Sequence, residues 1–276
     1  MNFIKPFPSW QQFQNRPDNR GLNVMQVKQK YLSEQYKYYQ MIPPTPSFAS
    51  AAGGNSISPD TGPTFTNTFS LRFDSVDDHV DTNSVKFSGA SVFTISCWFN
   101  MNSIRTINSL MTNWHSGKTN YILRYNNGVN GFQFYVSTTG TVAALTSYTI
   151  TPDTDRWYHI AGIYNGSNIA LYLNGDQVGT PTSLTGTVLS NTNTDVIAKR
   201  DSEFFDGNID EVAYFTSDQT SNIETIYNGG VPGDLSSLSP VAWYRFEEGS
   251  GTTAIDSGTG GSDGTHGATY STNIPS

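Results

Sequence analysis

From about residue 65 onward, apolar and polar residues alternate with a period of two. Phe93, Ile95, Cys97, Phe99 and Met101 alternate with Thr94, Ser96, Trp98 and Asn100. Successive side chains of a strand point to opposite faces, so this run predicts a strand with one buried face. Cys97 falls on that face and reads as a core thiol. Further strands are predicted over Tyr121–Tyr125, Gly131–Ser137, Trp157–Tyr164, Asn168–Leu173, Asp195–Lys199, Asn208–Phe215 and Val241–Glu247. Turn signals at Asn127-Gly128, Asn165-Gly166 and Asn174-Gly175-Asp176 punctuate them. Many short strands with regular turns predict an all-β, two-sheet jelly-roll sandwich. One short helix is expected near Asp218–Asn228, stopped by Gly229-Gly230 and Pro232.

The pattern upstream differs. A helix is predicted over about 24–41, with Asn23 as N-cap, Gln26 three residues on, and Pro43-Pro44 as the stop. It would be about 27 Å long at 1.5 Å per residue. Met25, Leu32, Tyr36 and Tyr39 line one side, and Val24, Val27, Tyr31 and Tyr38 another. A helix apolar on two sides calls for burial on two sides, against sister subunits or a larger assembly or, alternatively, back on its own β domain. Before it, Phe3, Phe7, Trp10 and Phe13 lie among prolines and glutamines, as in an extended peptide that seats aromatics in pockets. Residues 43–63 have linker composition, Pro-rich and then Gly/Ser-rich. The chain is therefore read as an anchoring arm (1–42), a linker (43–63) and a jelly-roll domain (64–276).

Charge sharpens this division. Residues 1–42 hold six basic and two acidic side chains, and the remainder nine basic and twenty-one acidic, within a net charge of −8. The acidic domain would repel phosphate at close range, so nucleic-acid binding is not expected. No apolar run reaches the roughly 18 residues of a membrane span. The N-terminal prolines do not suit a signal peptide, and synthesis and folding are expected in a cytosol. One cysteine excludes an internal disulfide framework and a Cys-based zinc site.

Five segments, in order, resemble the laminin-G-like, concanavalin A-like jelly-roll family. They are Ser70–Val80, Phe93–Phe99, Trp157–Tyr164, Ile169–Gly175 and Phe205–Phe215. Ser75 replaces a usual Gly, and His79 stands where an aromatic is common. The segment Ala242–Thr253, with Asp256 and His266-Gly267-Ala268, resembles the piece that usually precedes the first signature. That order resembles a circular permutation, so Val241–Phe246 is expected to pair beside the strand around Leu71. Pro8–Phe13, Met25–Tyr31 and Val231–Leu235 resemble structural proteins of marine bacteriophages. This resemblance implies a virion component, of capsid-decoration or head-fibre type, assembled in the host cytoplasm. Its arm would contact capsid or other virion proteins and sister subunits through Trp10, Phe13, Met25, Tyr31, Leu32, Tyr36 and Tyr39.

Three chemistries bear on the β domain. The glucanases of this fold carry Glu-x-Asp-x-x-Glu, which sets two carboxylates on one strand face. That motif is absent, and Glu203, Asp206, Asp210 and Glu211 have another spacing; His159 reads as a core histidine. No enzymatic activity and no required cofactor are expected. A Ca²⁺ site is an open expectation at Asp74, Asp77, Asp78 and Asp81, with Asp210 approaching across the sheet, against the alternative that these Asp side chains cap turns. Glycan binding is the third, at an exposed aromatic beside polar groups: Trp114 with His115, and also Tyr125 and Tyr148.

Overall fold

The structure, a computed structural model, describes residues 16–20, 30 and 65–276 except 116 and 117. The predicted arm helix apart from Lys30, the linker and the anchoring residues Trp10, Phe13, Met25, Tyr31, Leu32, Tyr36 and Tyr39 lie outside the described residues. The chain divides into two compact units, Met1–Thr61 and Gly62–Ser276. In the first, Pro17–Asn19 forms a single 3₁₀ turn, and Lys30 Nζ donates to Asn19 Oδ1 at 3.1 Å.

The second unit is built of strands. In chain order these are β1 Ser70–Asp74, β2 Val80–Asp81, β3 Phe93–Met101, β4 Ile107–Asn113, β5 Tyr121–Asn126 and β6 Gly131–Val136. Next come β7 Ala144–Thr149, β8 Trp157–Tyr164, β9 Asn168–Leu173, β10 Asp176–Ser183, β11 Val196–Ile197 and β12 Lys199–Arg200. The last are β13 Glu203–Phe204, β14 Asp206–Phe215, β15 Ala242–Tyr244, β16 Thr253–Ala254, β17 Gly264–His266 and β18 Thr269–Ser271. Sheet A runs β10-β9-β8-β3-β14-β1-β18, with β15 also on β14, and sheet B runs β16-β17-β2-β11-β4-β5-β6-β7. Every pairing is antiparallel, and β12 and β13 form a separate hairpin.

The inner faces of the two sheets meet in one aromatic core. Phe87 stacks on Phe93 at 4.3 Å, and Phe93 of sheet A meets Tyr121 (5.6 Å) and Phe134 (6.2 Å) of sheet B. Cys97 lies fully buried among these side chains, and burial pushes its thiol pKa well up, so it behaves as a small apolar group. The outer face of sheet A is covered by the segment that follows β14. There Ile223 and Ile226 of the helix α1 (Ile223–Tyr227), with Leu235, pack on Ala161, Ile163 and Phe215.

One expected pairing differs. β15 does not pair with β1; it pairs with β14 through Val212↔Tyr244 and Ala213↔Trp243. β1 pairs with the earlier half of β14, Leu71↔Ile209 to Asp74↔Asp206, and with β18. β14 is ten residues long and bulged between Asp210 and Ala213, where Glu211 takes φ 49°. A strand of that length offers one edge to two short strands placed end to end. Glu247 still reaches the start of β1, accepting from the backbone N–H groups of Thr68 and Phe69.

Candidate functional site

Sheet B and its loops hold the site. After Ile197 the chain turns at Ala198, a left-handed residue (φ 68°), and projects the β12–β13 hairpin over β4. Thr112 Oγ1 donates to the Lys199 carbonyl at 2.8 Å and ties the hairpin down. Between hairpin and sheet lies a cleft of about 290 Å³. Its floor is formed by Asp81, Thr112 and Val196, one row of the ladder (Asp81↔Val196↔Thr112). Its walls are Trp114, His115, Lys199, Arg200, Asp201 and His79.

The polar groups of the cleft hold one another in place. The Arg200 guanidinium lies 4.3 Å from the Trp114 ring centroid, a cation–π contact. Arg200 also pairs with Glu203 at 3.1 Å and Asp201 at 3.6 Å. Lys199 Nζ sits 5.3 Å from the Phe204 ring. His115 Nε2 is buried and has no hydrogen-bond partner. Asn113 is buried in the ladder, its amide donating to Asn193 O at 2.8 Å, so it anchors the strand end that carries Trp114.

The acidic loop lies beside this cleft. His79 lines the cleft, and its Nδ1 is 2.7 Å from the Asp77 carbonyl. Asp74, Asp77 and Asp78 each offer a carboxylate oxygen within 4.8 Å of the others. Burial, then the charge of Asp74, raises the Asp78 pKa. The carboxylates also brace the turn: Asp74 Oδ1 accepts from Val76 N (2.8 Å) and Asp78 Oδ2 from Asp74 N (3.2 Å). Oxygen-only donors at this spacing fit a calcium ion, which takes six to eight oxygens in an irregular cage. Asp74, Asp77 and Asp78 are the residues that would hold it.

Several expected site residues fall elsewhere. Asp210 does not join the acidic loop. It lies four residues along β14 from Asp206, the partner of Asp74, or about 13 Å away. Its carboxylate is buried and accepts from Asn67 Nδ2 (2.9 Å) and Glu211 N (2.8 Å). Tyr125 cannot stack on a sugar: it shares its strand face with Tyr121 and Leu123, is fully buried, and packs on Phe132 at 5.1 Å. Tyr148 pairs with Phe132 across β6–β7 and packs against the core, apart from Trp114. His159 is a core histidine, 1 % exposed, but its Nδ1 lacks a partner; burial lowers its pKa to about 3. Asp81, expected with the calcium carboxylates, lies instead in the floor of the cleft. Arg200, Lys199 and His79 carry no expected binding role, and their signal is slight: a basic pair at the end of a predicted strand.

Glu203, Asp206, Asp210 and Glu211 do not form one acid pair. Asp206 binds Arg72 at 2.9 Å and Glu203 binds Arg200. Glu211 accepts from the Trp243 indole N–H (2.6 Å) and from Arg245 Nε (3.3 Å). Among the described residues, no helix is long and apolar enough to cross a membrane.

Two antiparallel sheets closed over an aromatic core, with charged loops at one rim, define a jelly roll of the concanavalin A-like class. Residues 74–222, just over half of the chain, match a laminin-G-type family described as the Concanavalin A-like lectin/glucanases superfamily. The chain belongs to that family. Comparison with curated proteins gives no match. A solved structure with a similar fold is a candidate carbohydrate-binding protein from Bacteroides ovatus, with TM-score 0.59 and 22% identity. The match covers 76% of this chain and 62% of that one, so this chain spans less than two thirds of its length. A heptameric SAP-like pentraxin from Limulus polyphemus is more distant, with TM-score 0.48, 13% identity, and 58% and 82% coverage.

Proposed function

We propose that this protein is a non-catalytic saccharide-binding jelly roll whose site is the Trp114 cleft. The observation that carries the reading is the Trp114 indole at a cleft lined by His115, Arg200, Asp81 and Thr112. An indole face attracts the polarised C–H groups of a sugar ring, while charged and hydroxyl side chains around it take the sugar hydroxyls. Arg200 is held by Glu203 and Asp201, so it meets a ligand already oriented. The fold shared with the Bacteroides ovatus protein, named for carbohydrate binding, supports the same reading. No catalytic residue is assigned, since Asp210 and Glu211 are buried and occupied by Asn67, Trp243 and Arg245. Binding of the full-length chain to an array of surface polysaccharides, lost in Trp114→Ala, is the expected result. A flat array, or binding unchanged in that variant, overturns it.

The finer reading is that the jelly-roll head is displayed on a virion. The arm would anchor or oligomerise it against capsid proteins or sister subunits. It rests on the basic, aromatic sequence of residues 1–42, its opposite charge to the rest of the chain, and the resemblance to phage structural proteins. Deleting residues 1–62 should leave a folded head that no longer assembles; retained particle association overturns the anchoring role. Calcium at Asp74, Asp77 and Asp78 would stiffen the loop that carries His79. A melting temperature higher in millimolar calcium than in chelator is expected, and equal values contradict it.

A further inference from the structure

The outer face of sheet B carries a cation that has no counter-charge among the described residues. Alternation along β5 sends Tyr121, Leu123 and Tyr125 into the core and leaves Ile122 and Arg124 on the outer face. Arg124 is nevertheless 9 % exposed. Its Nε donates to Gln133 Oε1 at 3.0 Å and its Nη2 to the Tyr135 hydroxyl at 3.2 Å. The guanidinium carbon lies 5.0 Å from the Tyr135 ring centroid. Asn126 Nδ2 donates to the same Gln133 oxygen at 3.1 Å. All of these partners are neutral, and no carboxylate pairs with Arg124 among the described residues. Register sets Ser109 opposite Arg124, and the Ser109 hydroxyl is buried with no partner.

A guanidinium keeps its charge at any working pH. Moving it out of water is costly unless an opposite charge compensates. Neutral oxygens and a ring face recover part of that cost; an anion would recover more, through the donor that remains. The surroundings suit a sugar as the carrier of that anion, because Gln133, Asn126 and Tyr135 offer neutral groups for hydroxyls. The place is right as well. Thr112, Ile122 and Tyr135 stand opposite one another on successive strands, and Thr112 also floors the Trp114 cleft. With strands about 4.8 Å apart, Tyr135 lies about 10 Å from Thr112 on the same side of the sheet, a distance that a short saccharide spans above the buried Thr112 and Ile122 side chains.

We propose that Arg124, with Gln133 and Tyr135, is the anion subsite of an acidic-saccharide site. It takes a sugar carboxylate or sulfate while a neighbouring ring occupies the Trp114 cleft. This rests on the saccharide-binding reading and names its ligand class.

The test is calorimetric titration of the full-length chain with trigalacturonate, its methyl ester and a sulfated trisaccharide. Binding of at least one acid form at least tenfold tighter than the neutral ester is expected, with the gap closed in Arg124→Gln and partly kept in Arg124→Lys. The two acid forms distinguish carboxylate from sulfate as the anion. Circular dichroism melts check that each variant is folded; if Arg124→Gln is not, Arg124→Lys and Tyr135→Phe carry the comparison. Equal affinity for acid and ester, a preference that survives Arg124→Gln, or no binding of any of the three overturns the proposal. The two readings fail separately. Loss of both acid and ester in Trp114→Ala, with no acid preference in the wild type, leaves the cleft and removes the subsite. Acid binding that needs Arg124 but not Trp114 does the reverse.

Discussion

Glu211 stands at the bulge of β14 in the left-handed region and is buried beside Asp210. Burial raises its pKa to about 8, although Arg245 and the Trp243 indole oppose the shift. Asp210 is raised too, by burial and then by the charge of Glu211. The folded chain therefore holds a proton here, between about pH 4.5 and 8, that the unfolded chain has lost, so stability falls as pH rises through that window. Glu211→Gln keeps the contacts and should flatten the slope by up to one proton, about 1.4 kcal/mol per pH unit; an unchanged slope contradicts this. His159 works in the opposite sense. Its folded pKa of about 3 means that the unfolded chain takes a proton first as pH falls from 6.5, so stability is lost on the acid side. His159→Phe, which removes an imidazole whose Nδ1 has no partner, should flatten that acid limb in urea titrations from pH 6 to 4; a limb as steep as before would contradict the assignment.

At the scale of elements, legibility followed apolar content. Trp157–Tyr164 and Asn168–Leu173 are strands over the predicted residues, because each is a largely apolar run of strand length bounded by turn signals. β7 and β10 were not predicted: both are largely exposed and rich in Thr and Ser, so neither shows a clear apolar period. The parity of β5 could have excluded Tyr125 from the candidate site, since it follows Tyr121 and Leu123 into the core. The same parity could have singled out Arg124. Trp114 and His115 were legible as an aromatic-polar pair at a strand end, but the hairpin that closes their cleft hinges on a left-handed Ala198, which no residue type announces. The place of β15 was not legible, because it depends on the length and bulge of its partner. Packing between the sheets makes a prediction of its own. A Cβ on Gly162 of β8 would stand 2.7 Å from the Phe134 ring of the opposite sheet. Gly162→Ala should cost about 1–3 kcal/mol in urea unfolding; a neutral result would mean that the two sheets are less tightly apposed than described.

At the scale of the whole molecule, the sandwich sets the cleft and Arg124 on one face of sheet B. Asp81, Val196, Thr112, Ile122 and Tyr135 follow one another across five strands of it. The Trp114 cleft and the acidic loop lie toward one side and Arg124 toward the other. The other sheet is covered on its outside by the segment around α1. The most direct measurement of this account is saccharide binding by the full-length chain beside Trp114→Ala, on an array that holds acidic and neutral glycans. The account predicts a small set of glycans bound by the wild type and released by the variant. A variant that binds the same set as the wild type, or a wild type that binds none, would contradict it.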